Sequence, residues 1–145
     1  MESGRRLILG GVAVDSQVGA VGHSDADVLA HAISDALLGA CALGDLGTHF
    51  PSTDAQWKDV DSIELLRACA ALVRAKGFAV ANVDATVIVE RPRLAPYTER
   101  MRDCIAQALD LELQYVSIKA KSTDGMGYTG DGTGIAAHAS ACVSS

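Results

Sequence analysis

The chain has 145 residues, a formal net charge of −6 and 49% hydrophobic residues. That length fits one domain, which buries roughly 70% of the surface its unfolded chain exposes. The acidic balance argues against a general nucleic-acid binder. No apolar run approaches the ~18 residues of a membrane span, and no cationic stretch precedes an apolar segment as in a signal peptide.

Alanine supplies 24 residues and aromatic side chains only six, so the core must be built closely from Ala, Val and Leu, and a subunit interface would bury more. Cys41, Cys69, Cys104 and Cys142 form no CxxC pair and read as four reduced, mostly buried thiols.

Taken in chain order, residues 6–9 and 12–14 predict a short strand or hairpin broken by Gly10-Gly11. Ser24 or Asp25 opens a long helix running to about Leu43 and closed by Gly44. Turn chemistry fills residues 45–59. Asp61 followed by Glu64 has the form of a capping box, and a second helix runs to Lys76 with Gly77 past its end. Val83, Ala85, Val87 and Val89 then alternate with polar neighbours, a strand with one drier face. Pro96 suits the first turn of a third helix, on which Tyr97, Met101, Ile105 and Ala108 share a side. Val116, Ile118 and Ala120 mark another strand, a glycine loop spans 125–134, and residues 135–143 alternate as a last strand. The order β-α-α-β-α-β-β predicts a single α+β domain, with helices on one face of a small mixed sheet.

The densest chemistry lies in His23-Ser24-Asp25-Ala26-Asp27-Val28-Leu29-Ala30-His31. On one helix, Asp27, His31 and Asp35 share a stripe. Such a stripe among apolar neighbours fits a metal held by His31 with an Asp fixing its ring; it also fits an exposed helix face, the commoner case for a lone helical His. Free N–H groups at the helix start suit a phosphate against His23 and Ser24, or plain capping by Ser24. Asp45, Thr53 and Asp54 could reach ligand hydroxyls or simply form turns. Residues 125–130 match G-x-G-x-x-G, but no helix pattern follows and too little chain remains for a βαβ unit. Lys119, Lys121, Ser122, Thr123 and Asp124 end a strand with two cations and two hydroxyls for a diphosphate, and Asp124 suits Mg²⁺; the alternative is a solvated strand end. His138 reads as a cross-strand or core contact rather than a ligand.

Together these segments resemble the 2-C-methyl-D-erythritol 2,4-cyclodiphosphate synthase family of the non-mevalonate isoprenoid pathway. The resemblance rests on residues 22–31, on Asp35-Ala36-Leu37-Leu38-Gly39-Ala40, on Leu43-Gly44-Asp45-Leu46-Gly47 and on His49-Phe50-Pro51. It continues through Asn82-Val83-Asp84-Ala85-Thr86 and residues 90–96, in order and nearly end to end.

The resemblance implies a homotrimer with active sites between subunits and a small-molecule diphosphocytidyl substrate, with no nucleic acid and no membrane as partner. It implies a phosphorus-oxygen lyase that cyclises 4-diphosphocytidyl-2-C-methyl-D-erythritol 2-phosphate and releases CMP. The implied cofactors are Zn²⁺ or another divalent transition metal, and Mg²⁺ or Mn²⁺. The implied location is bacterial cytoplasm, or plastid stroma after loss of a transit segment. By position, His23 and Ser122 are catalytic, His31 and Asp124 hold metals, and Ser24 touches substrate. Asp45, Leu46, Gly47, Phe50, Pro51, Ser52, Thr53 and Asp54 would contact the methylerythritol part. Val89, Glu90, Arg91, Pro92, Arg93, Leu94, Ala95, Lys121 and Thr123 would hold the cytidine diphosphate part, with Tyr128 and Asp131 also assigned to substrate.

The chain also departs from the family pattern. Two family zinc ligands come from an Asp-x-His strand, whereas this sequence opens at Met1-Glu2-Ser3-Gly4-Arg5-Arg6, past that motif. Ser122 replaces a threonine, Asp124 a glutamate, Ser52 a frequent aspartate and Lys121 a usual threonine. Gly130-Asp131-Gly132-Thr133-Gly134 replaces a common Gly-Arg-Gly-Glu-Gly, which removes the family's cavity-facing Arg and Glu. The second reading is therefore a non-catalytic, cytidine-nucleotide-binding trimer without its zinc.

Overall fold

The computed structural model describes residues 1–145. Near the N-terminus, β2 (Leu7–Leu9) and β3 (Val12–Val14) form an antiparallel hairpin. Its turn is Gly10-Gly11, both at positive φ (57° and 76°), the conformation that a two-residue hairpin turn demands and glycine adopts freely. A second small pair joins β1 (Glu2–Ser3) to β4 (Val18–Gly19).

The first helix, α1 (Val28–Ala40), is shorter at both ends than its sequence predicts. Asp27, not Ser24 or Asp25, is its N-cap, and Cys41, not Gly44, closes it. The reason lies in the hairpin. Asp27 is fully buried, and its carboxylate accepts from Gly10 N at 2.9 Å, Gly11 N at 2.7 Å and Ala30 N at 3.0 Å. A side chain with those three partners points back at the turn, so it does not share a helix stripe with His31 and Asp35.

Residues 45–59 hold a one-turn helix, α2 (Leu46–His49), and a 3-10 turn at Ala55–Trp57. Helix α3 (Ser62–Ala75) starts from Asp61, whose side chain accepts from Ile63 N. Only half of the predicted capping box forms, because Glu64 pairs with Arg67 at 3.2 Å.

The main sheet has three strands in the order β6-β5-β7: β6 (Val116–Lys121), β5 (Ala79–Ile88) and β7 (Ala136–Ser144). Strands β5 and β6 run parallel, joined by α4 (Thr98–Leu109), and β7 lies antiparallel on the other edge. The predicted small mixed sheet with helices on one face is thus observed. Val83, Ala85 and Val87 are buried in the same core as α1, α3 and α4 residues such as Leu37, Leu66 and Met101. Asp84, Ser117, Lys119, His138, Ser140 and Cys142 alternate onto the opposite, open face. The glycine loop contains a single helical turn, α5 (Gly127–Gly130).

All four thiols are free, but only Cys41 and Cys69 are buried; Cys104 is half-buried and Cys142 exposed. The expectation of mostly buried thiols fails for Cys142 because β7 presents it on the uncovered side of the sheet. His138, opposite Thr86, is exposed there too, a cross-strand position rather than a core one.

Candidate active site

The site residues fall into two separate cavities. The first, of about 250 Å³, is lined by His23, Ser24, His31, Leu46, Phe50 and Ser52, together with Trp57, Val60 and Leu65. The stretch carrying His23 and Ser24 is an irregular segment ahead of α1, stitched to the 57–60 loop: Asp59 N donates to His23 O at 2.9 Å and Asp25 N to Val60 O at 3.3 Å. His23 and Ser24 therefore precede α1 rather than sitting on its N-terminal turn, and Ser24 does not cap it. The Asp27 carboxylate already takes the Ala30 N–H there.

His31 lies half-buried on α1, its Nε2 2.8 Å from Ser62 Oγ and 3.2 Å from Ser24 Oγ. Burial lowers its pKa more than Asp25 and Asp35 raise it, which favours the neutral ring. Asp35, one turn on, accepts from Leu46 N at 2.8 Å and so ties α2 to α1. That contact carries Leu46 and Phe50 to the cavity wall, where Phe50 meets Trp57 edge-on at 5.0 Å between centroids. The wall is apolar and the His23–Ser24–His31 edge polar, a pattern that holds a ligand with one greasy and one charged end.

Neighbouring residues have other work. Asp45 caps α2 through Thr48 N and Oγ1, which lower its pKa, and Asp54 caps the 3-10 turn through Gln56, with the same effect. Gly47, Pro51 and Thr53 lie in this segment but outside the cavity lining.

The second cavity is lined by Val89, Glu90, Pro92, Arg93, Leu94, Ala95, Lys121 and Ser122, with Thr98 and Ala120. Glu90 accepts from Gly125 N at 3.4 Å, which draws the glycine loop towards the end of β5. Arg91 turns instead to a groove shared with residues 15–18. Lys119 is not a free cation: it pairs with Asp84 at 2.7 Å across the open sheet face. Thr123 donates to Met126 O at 2.6 Å and meets Thr129 Oγ1, so its hydroxyl braces the loop. Asp124 is exposed, with its carboxylate bonded to Ser122 Oγ at 3.2 Å. Asp131 caps its own loop through Thr133, which lowers its pKa, while Tyr128 is 58% exposed; neither lines either of these two cavities.

A profile described as the YgbB family matches residues 1–144. The chain is 56% identical over 142 residues to a 2-C-methyl-D-erythritol 2,4-cyclodiphosphate synthase of Salinibacter ruber, covering 98% of this chain and 90% of that one. It is 52% identical over 139 residues to the Syntrophomonas wolfei protein of that name, covering 96% and 88%. The chain belongs to this synthase family. A solved structure of the synthase in a CDP-bound form superposes with a TM-score of 0.90 at 33% identity, covering 99% of this chain and 93% of that one.

A catalytic zinc site needs three protein ligands and one open position. Here His31 stands without such company. No three His, Cys, Asp or Glu side chains converge anywhere in the chain, and the nearest polar groups to His31 are serine hydroxyls. The residues present do not by themselves fit a transition metal. Asp124 offers a single exposed carboxylate beside Ser122, just past the end of β6.

Sequence reasoning missed Trp57, Val60 and Leu65 on the first cavity wall, and Thr98 in the second. Trp57 carried a signal, as the only tryptophan in a chain poor in aromatics, set within turn chemistry.

Proposed function

We propose that this chain is a 2-C-methyl-D-erythritol 2,4-cyclodiphosphate synthase, acting as a phosphorus-oxygen lyase on 4-diphosphocytidyl-2-C-methyl-D-erythritol 2-phosphate. An oxygen of the 2-phosphate forms a bond to the β-phosphorus. The bond from that phosphorus to the bridging oxygen breaks, and its electron pair leaves with CMP. The observation that carries this reading is the presence of two complementary half-sites on the family fold. One pairs His23, Ser24 and His31 with an apolar wall, and the other pairs Lys121 and Ser122 with the 89–95 loop.

Phosphoryl transfer asks the protein mainly for positioning and charge neutralisation. Phe50, Leu46 and Trp57 would shelter the methylerythritol carbon chain, with His23 and Ser24 facing its phosphate. Lys121 would offset diphosphate charge and Ser122 would donate to a phosphate oxygen. Asp124 would hold Mg²⁺ or Mn²⁺, an ion that supplies charge neutralisation when bound. The 89–95 loop would seat the cytidine.

The half-sites line different cavities in one subunit, so a homotrimer with each site shared between neighbours is part of the proposal. Its support is an open sheet face and a lone subunit that buries only 34 of 145 residues although 49% are hydrophobic. No helix of the chain is long and apolar enough to cross a membrane. The bacterial relatives support a cytoplasmic enzyme of isoprenoid precursor synthesis.

The test is CMP release from the diphosphocytidyl substrate with Mg²⁺, followed by chromatography alongside the cyclic product. The expected result is both products in equal amounts, with turnover reduced at least tenfold in Lys121→Ala. Nucleotide binding without CMP release would support the non-catalytic reading instead.

A further inference from the structure

We propose that Trp57 is a specificity-determining residue of the first cavity, its indole limiting the branched carbon chain that the cavity accepts to a short one. The identity of that ligand rests on the synthase activity proposed above. Trp57 ends the 3-10 turn Ala55–Trp57 and is half-buried. It belongs neither to the hydrophobic core nor to the apolar residues packed against that core, and the same holds for Phe50. The two rings meet each other instead, edge-on with planes at 90° and centroids 5.0 Å apart, and both line the first cavity. Two large aromatic side chains left out of the core present their apolar surface to the ligand space, as the walls of small-molecule pockets do.

A wall discriminates by size only if it cannot yield, because a soft pocket re-packs around an extra methylene. This wall is held on both sides. Asp54 accepts from Gln56 N at 3.1 Å and from Gln56 Nε2 at 2.6 Å, and Trp57 N donates to Asp54 O at 3.1 Å, which fixes the 3-10 turn. Beyond that turn, Val60 N donates to Trp57 O at 3.3 Å, and the backbone of Asp59 and Val60 is bonded to that of His23 and Asp25. On the other side, Phe50 N donates to Leu46 O at 2.7 Å, and Leu46 N to Asp35 on α1 at 2.8 Å. Trp57 carries the largest side chain on the wall, so its removal opens the most room. In a hydrophobic pocket one methylene changes selectivity by roughly 10- to 200-fold.

The test compares the cyclic diphosphate product with a homologue carrying ethyl in place of its methyl branch; neither turns over without CMP. Calorimetry on the whole protein with Mg²⁺ is expected to show the methyl compound binding at least about tenfold more tightly. In Trp57→Ala the two affinities converge to within about threefold, and Trp57→Phe gives an intermediate ratio. Emission of Trp57, the only tryptophan of the chain, is expected to shift with the methyl compound and not with CMP. Equal affinities in the wild type overturn the inference, as do failure to bind either compound, an unchanged ratio in Trp57→Ala, or emission indifferent to the methyl compound. Should Trp57→Ala not fold, Trp57→Phe decides, and a wild-type ratio there overturns it. CMP release from the full substrate is measured separately. Its absence beside the expected affinity ratios removes the synthase activity and leaves the role of Trp57 standing.

Discussion

Among single residues, Asp27 joins parts of the chain that lie far apart in sequence, through three backbone N–H donors and with no exposed surface. In Asp27→Ala the α1 cap is lost, at about 1 kcal/mol, and Gly10 and Gly11 lose their acceptor, at about 1–3 kcal/mol for each buried donor. The expected sum is roughly 3–7 kcal/mol, read from chemical denaturation. Burial pushes the Asp27 carboxyl up to about 6 from an ordinary value of 3.8, against the pull of those N–H donors. A group raised in this way binds its proton more tightly folded than unfolded. Its contribution is full below the ordinary value and is lost as pH rises through about 6. Wild-type stability, compared with that of Asp27→Asn, should therefore fall between pH 4 and pH 6.5 by an increment the variant does not show.

Among elements, the hairpin turn is a tight junction with the helices. A Cβ at Gly11 would fall on Cys104 Sγ and Ile63, at a φ of +76° that other residues rarely adopt. Gly11→Ala should cost about 2–4 kcal/mol, combining backbone strain with overpacking, and a thermal melt checks it. The same junction shows what a linear reading could and could not see. Strand alternation in β5 and β6, the Asp61 cap and the helix before Gly77 were legible, because each signal lies within a few residues of its effect. The start of α1 was not. Ser24 and Asp25 are sound caps by local rules, but Asp25 bonds Ser62 and Ser24 contacts His31, while Asp27 takes the cap through the distant glycine pair. Likewise, His23, His31 and Lys121 were legible as chemistry, whereas the Trp57 contact with Phe50 depends on how the 50–57 segment turns back on itself.

For the whole molecule, the uncovered sheet face bears on assembly. Lys119 and Asp84 hold each other there, and Asp84 Oδ1 has no partner although buried. If three subunits close over this face, sedimentation should give about three times the 15.0 kDa chain mass, and the thermal midpoint should rise with protein concentration. Dilution that leaves the midpoint unchanged in a monomeric sample would count against the trimer. If each site is shared between neighbouring subunits, the partition of the chemistry between two cavities has a genetic consequence. A His23→Ala allele damages only the first half-site, and a Lys121→Ala allele only the second. Subunits of the two kinds, mixed in one oligomer, bring an intact first half beside an intact second half at some of their junctions. Two alleles that each fail to support growth would then support it when expressed together.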